Sequence, residues 1–215
     1  TAQGEELKNL LRVISGGDRP LFDAGFPVFQ SLLFSFSGSD GTVDGVVSGN
    51  LYDNKRRRFQ LDGDPKISSA EATLNELILR VRRDRKVNKR RGLKLQRIPE
   101  ITGRISIPVL SVHTLGDLFV PFKMQQIYAE EVQRKGRSDL LVQRATRAVG
   151  HCEFSVNELV RTFDDLVLWV NYGIRPEGDD VLDAETVASP TYGCTYTSGS
   201  TGQTPDILRT GLCPQ

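Results

Sequence analysis

Apolar residues recur along this chain in two rhythms, and the change from one to the other divides it. Leu7, Leu10, Leu11 and Ile14 fall at helical spacing between Glu5 and Ile14, and "SGGDRP" ends that run. "LFDAGFPVFQSLLFSFSG" is dense in Phe and predicts a packed helix and turn, followed by a loop-rich "GSDGTVDGVVSGN". Ser68 and Glu71 have the spacing of a capping box, and Leu74, Leu77, Ile78 and Val81 give the helix they open one apolar face. Beyond "IPEITG" the pattern shortens. Ile107 to Val112 reads as a buried strand, Phe122 to Lys135 as a helix stopped by Gly136, and Leu140 to Ala145 as a second strand. "TRAVGHCEF" is a loop, and Ser155 with Glu158 forms a second capping box. The helix it opens is expected to bury Leu159, Phe163, Leu166 and Val170. Strand, loop, helix, strand, loop, helix is the order of parallel α/β structure.

Three regions follow: a helical and irregular part over 1–100, an α/β core over 101–176, and a Gly/Ser/Thr-rich tail over 177–215. A chain of 215 residues is long enough to bury a substantial core, and no apolar run approaches membrane-spanning length. It starts at Thr1 without an initiator Met, so Thr1 reads as a processed terminus or the edge of a fragment.

Charge and cysteines refine this picture. "KRRR" at 55–58 and the stretch from Arg80 to Arg97 hold half of the 28 Lys and Arg residues, yet the net charge is +1. Aromatic side chains for base stacking are missing between those charges, so a solvated basic face is expected rather than a nucleic-acid interface, with an anionic substrate or partner as an alternative. Cys194 and Cys213 lie in the tail, which gains order from a cross-link; a disulfide there implies an oxidising compartment. A secreted or extracytoplasmic location is therefore expected, with the cytoplasm as the alternative. Cys152 is left unpaired, and no CxxC or CxxH spacing points to a zinc site.

The chemistry concentrates after the two strands. In open parallel sheets ligands bind outside the carboxyl ends of the strands. Asp117 lies just past the first and His151 in the loop past the second. Adjacent parallel strands run about 4.8 Å apart, so the two loops can bring carboxylate and imidazole together. A carboxylate so placed fixes the tautomer of a general base and stabilises the imidazolium that forms.

"IPVLSVHTLGDLFVPF", "DLLVQRATRAVGHCEF" and "FDDLVLWVNYG" resemble the C-terminal part of an α/β-hydrolase, over roughly residues 100–175. The resemblance places the acid of a triad in Gly116-Asp117-Leu118-Phe119-Val120-Pro121 and the base in Gly150-His151-Cys152-Glu153-Phe154. It implies that residues 1–100 form a cap inserted before the acid-bearing strand, over an α/β-hydrolase parallel sheet. The superfamily's G-x-S-x-G nucleophile elbow is missing: Gly41/Gly45 and Gly45/Gly49 have the spacing but centre on Val43 and Val47. The nucleophile half is then expected in a companion N-terminal chain or segment.

Other candidates are weaker. Ser37, Ser39, Ser48 and Ser200 read as turn residues, and Cys152 as a small residue packed under the histidine loop. His113 reads as a hydrogen-bonded structural histidine, with support of the acid loop as its alternative. Phe119 and Phe122 either line an acyl pocket or pack on the following helix, and Trp169 is core or partly exposed. The reading as a whole is a serine hydrolase cleaving carboxylic esters, with no cofactor or metal implied. Its alternatives are a peptidase of the same fold or a non-catalytic binding protein on that scaffold.

Overall fold

The computed structural model describes residues 1–35, 53–62, 64–82 and 101–214. The chain divides into two compact units, one of residues 1–13 and 31–100, the other of 14–30 and 101–215. Residues 14–30 thus group with the α/β segment rather than with the first hundred.

In the first unit, helix α1 (Ala2–Ile14) is the run of spaced leucines. The Ser68–Glu71 box opens α3 (Ser69–Leu77): the Glu71 N–H donates to the Ser68 hydroxyl at 3.3 Å, and the Ser68 N–H to the Glu71 carboxylate at 2.8 Å. Ile78 is already extended, so Ile78 and Val81 fall outside the helix, and Leu77 is exposed. The expected apolar face is therefore not one face of a helix. Arg56, Arg57, Arg58 and Lys55 are exposed, whereas Arg80 donates to the carbonyls of Asn54, Arg57 and Asn75 and ties the segment before α3 to its end. The remainder of the basic run, from residue 83, lies outside the described residues.

The second unit is mixed α/β. Helix α2 (Phe22–Ser35) enters it through residue 30. Strand β1 (Val109–Thr114) begins just after Pro108, two residues later than its apolar run suggests, because proline supplies no ladder donor; Ile107 is exposed. Then come α4 (Lys123–Arg134), a 3-10 turn (Ser138–Leu140), β2 (Leu141–Thr146), α5 (Val156–Tyr172), and the short helices α6 (Ala184–Ala188) and α7 (Asp206–Arg209). β1 and β2 pair in parallel, Val109 opposite Leu141 through Thr114 opposite Thr146. All six residues of β2 are buried, while the first four of β1 are only half-buried.

The tail accounts for that difference. The Asp179 N–H donates to the Gln143 carbonyl at 2.7 Å and the Ala145 N–H to the Asp179 carboxylate at 2.8 Å, so residues 177–179 cover the outer edge of β2. A Cβ on Gly178 would lie 2.6 Å from the Gln143 oxygen, so only glycine permits this approach. Val181, Val187 and Tyr192 pack with Leu115, Phe122 and Ala145 in the buried core. Burying one such large side chain contributes about 1.5–3 kcal/mol, so residues 177–215 are structural and not a loose appendage. The expected disulfide joins Cys194 to Cys213.

Helix α5 departs most from expectation. Leu166 is half-buried, but Leu159, Phe163 and Val170 are 52%, 65% and 59% exposed, together with Val156 and Val160. Its inward face carries Glu158 and Trp169 instead. Glu158 completes the capping box with Ser155 and pairs with the fully buried Arg209 at 2.5 Å, while Asp165 pairs with Arg144 at 2.6 Å. The buried cations Arg144 and Arg209 thus find their carboxylates on α5, and losing either partner would leave a buried charge uncompensated.

Candidate active site

The register of the sheet sets the two key loops side by side. The ladder continues past the strands: the Leu115 N–H donates to Thr146 and the Gly116 N–H to Ala148, each at 2.9 Å. Close packing requires glycine twice here. A Cβ on Gly116 would lie 2.8 Å from the Val149 Cα, and one on Gly25 of α2 would lie 2.0 Å from the Gly116 oxygen. Arg19 donates its Nε to the Leu115 carbonyl at 2.8 Å, and the Lys123 N–H bonds Ser15, so residues 15–19 hold both ends of the acid loop.

Asp117 is buried and its two oxygens do different work. Oδ1 accepts the N–H groups of Phe119 at 2.7 Å and Val120 at 3.2 Å, which makes an Asx-type turn and fixes the carboxylate plane. Oδ2 is left for His151, whose Nδ1 lies at 2.6 Å. An ionised carboxylate only accepts, so Nδ1 carries the proton and Nε2 is the free base of the ring. The His151 side chain is 41% exposed and the Asp117 side chain 3%, an oriented imidazole open on one side and backed by a buried acid. Phe119, itself 46% exposed, stands edge-on to the ring at 4.9 Å between centroids.

The histidine loop is held mainly by distant sequence. Thr114 Oγ donates to the Gly150 carbonyl at 2.8 Å. Glu153, buried beneath the loop, accepts the Gly150 N–H at 2.7 Å, the Thr204 N–H at 2.6 Å, the Thr204 hydroxyl at 2.7 Å and the Thr201 hydroxyl. Burial pushes its carboxyl up, but the bonds from Thr201, Gly150 and Thr204 outweigh burial and hold it below the usual range. Thr204 Oγ also accepts from the Val149 N–H, and Thr197 Oγ from the Arg147 N–H, each at 2.8 Å. The buried Arg147 side chain bonds the carbonyls of Pro190, Tyr192 and Leu208, and Arg209 returns a bond to the Arg147 carbonyl. An open cleft of about 250 Å³ flanks Gly150, walled by Ala24, Val28, Val149, Pro205 and Leu208.

The remaining candidates separate cleanly. His113 is buried, with Nδ1 2.9 Å from the Thr114 carbonyl. Phe122 belongs to the core, edge-on to His113 and Tyr192. Cys152 is exposed and not packed under the loop, because Glu153 occupies that place. Trp169 is buried under Arg175. Ser200 is an exposed turn residue that accepts the Gly202 N–H; Ser37, Ser39, Ser48, Val43 and Val47 lie outside the described residues. Among the described residues no group of His, Cys, Asp and Glu side chains could hold a metal ion, and no helix is long and apolar enough to cross a membrane.

Glu153, Thr201, Thr204, Arg147 and Arg209 do not stand out in the sequence as residues of the site. One signal was available: Glu153 lies three residues after Gly150, the spacing at which a carboxylate reaches back to a backbone N–H.

No family model matches the chain, and no solved structure matches it. A stretch of 92 residues is 27% identical to a protein of Xanthobacter agilis named o-phthalyl amidase; it spans 42% of this chain and 20% of the amidase. The chain is similar, over part of its length, to a fifth of a protein whose name is that of a hydrolase.

Proposed function

We propose that this chain supplies the acid and the base of a hydrolase that transfers an acyl group to water. The observation that carries this reading is the 2.6 Å contact between the buried Asp117 and the exposed ring of His151, at the carboxyl ends of adjacent parallel strands. In this reading His151 Nε2 removes the proton of a hydroxyl nucleophile as it attacks a carbonyl. Asp117 stabilises the imidazolium, which then protonates the leaving group; water repeats the cycle on the acyl intermediate. The nucleophile, a serine, and the oxyanion hole come from a companion α/β segment in the manner of an α/β-hydrolase. Two observations support such a companion. Among the described residues β1 pairs with no strand on its far side, and α5, which packs against β1, turns its apolar stripe outward. Exposed contiguous apolar surface beside an open edge is what a further strand and helix would cover.

Carboxylic esters are the proposed substrates. The similarity to a named amidase favours amides as a second class, and the acyl chemistry is common to both. The first unit, residues 1–13 and 31–100, serves in this proposal as a cap, and the disulfide fits a secreted or extracytoplasmic protein.

In the protein with its companion segment, His151→Ala and Asp117→Asn should each lower kcat for p-nitrophenyl ester hydrolysis by about 10³-fold or more, with circular dichroism unchanged. The 215-residue chain alone should not label with a fluorophosphonate probe. Retained activity in His151→Ala would reject the assignment. Labelling of the chain alone would place the nucleophile within it. Absence of hydrolysis with a fully folded companion complex would favour a binding protein on the same scaffold.

A further inference from the structure

Both histidines of the chain address the same carboxylate oxygen. His151 Nδ1 lies 2.6 Å from Asp117 Oδ2, and His113 Nε2 lies 4.0 Å from that same atom. The Thr114 carbonyl can only accept, so its 2.9 Å contact requires a proton on His113 Nδ1. In the neutral ring Nε2 is then a lone pair turned toward a carboxylate. It is buried and has no hydrogen-bond partner among the described residues. A second proton can enter the ring only at Nε2, where it would convert an acceptor facing Oδ2 into a charged donor. Asp117 cannot answer by turning, because Oδ1 is held by the N–H groups of Phe119 and Val120.

We propose that His113 is a positioning residue for Asp117: neutral, it leaves Oδ2 to His151, and protonated at Nε2 it competes with His151 for that oxygen. The proton comes from solvent and no covalent bond between heavy atoms changes. The charged groups acting on His113 are Asp117 in the acid loop and Arg19 from the segment before α2, while His151 reaches Oδ2 from the β2 loop. Burial lowers the basicity of His113 most; the Thr114 carbonyl, Asp117 and the Val120 backbone oppose this, and Arg19 adds to it. The switch therefore acts on the acid side of neutrality. As a statement about catalysis the proposal rests on Asp117 and His151 being acid and base; as a statement about one hydrogen bond it does not.

The test uses the full chain. In nuclear magnetic resonance the hydrogen-bonded Nδ1 proton of His151 should weaken as the His113 Cε1–H signal titrates. In His113→Phe that proton should persist to a pH lower by about one unit. His113→Asn, with an amide near the place of Nδ1 and nothing that titrates, should do the same and serves if the Phe variant does not fold. In the protein with its companion segment, the acid limb of kcat/KM for p-nitrophenyl acetate should fall with a limiting slope of about 2 in the wild type and about 1 in either variant. An Nδ1 proton of His151 indifferent to His113 titration, or one acid slope in all three proteins, overturns the proposal. If coupling is seen but the ester is never cleaved, the hydrolase reading fails and the proposal stands. If His151 proves essential to hydrolysis and no coupling is seen, the proposal alone fails.

Discussion

Glu153 secures the histidine loop through four donors, from Gly150, Thr201 and Thr204, two of them on side chains about fifty residues away in sequence. A glutamine there offers one acceptor oxygen and turns an amide N–H₂ toward groups that are themselves donors, which costs about 1–3 kcal/mol. The sign of the pH effect follows from the carboxyl being held low when folded. Its stabilisation is present above the unfolded value of about 4.3 and is lost as pH falls through the folded value. Urea unfolding of Glu153→Gln should therefore show the full loss at pH 7 and a smaller gap from wild type at pH 3. An equal gap at both would mean that the carboxylate charge is not what holds the loop. His113 adds to acid sensitivity in both proteins, because burial lowers its basicity and the unfolded chain takes up the proton first below about 6.5.

Helix α5 shows which level of structure chooses an orientation. Its start and stop are local: the Ser155–Glu158 box opens it, and Gly173 ends it at φ 71, where a Cβ would be disfavoured. Its apolar periodicity is equally plain in the sequence, yet that stripe points outward. If the stripe is uncovered in this chain, Phe163→Ser should change the free energy of unfolding by no more than about 0.5 kcal/mol and reduce self-association at high concentration. A loss of about 3 kcal/mol or more, as for a core phenylalanine, would show that the stripe is packed in the folded chain.

Larger still is the dependence of the site on its C-terminal segment. The disulfide closes a loop from Cys194 to Cys213 that contains Thr197, Thr201, Thr204, Leu208 and Arg209, the groups that bond residues 147–153. Replacing both cysteines by serine should lower stability by about 2–4 kcal/mol. It should also weaken the Nδ1 signal of His151 at neutral pH. An unchanged unfolding midpoint would mean that hydrogen bonds and core packing hold this segment without the cross-link.

What could be read from the amino acids alone was whatever closes within a few residues: two capping boxes, helix stops at glycine, the strand rhythm, and an acid loop and a histidine loop after successive strands. Those features rest on backbone geometry and on hydrogen bonds that reach three or four positions, so local spacing encodes them. The likeness of those loops to a hydrolase came from the same short stretches. Tertiary structure decided the rest. The tail became core because Val181, Val187 and Tyr192 found Leu115, Phe122 and Ala145, a match no local pattern records. The inward face of α5 meets Arg144 and Arg209, buried cations paired with Asp165 and Glu158 across long sequence distances. The meeting of His151 with Asp117 came from parallel pairing, which brings strand ends together across more than thirty residues.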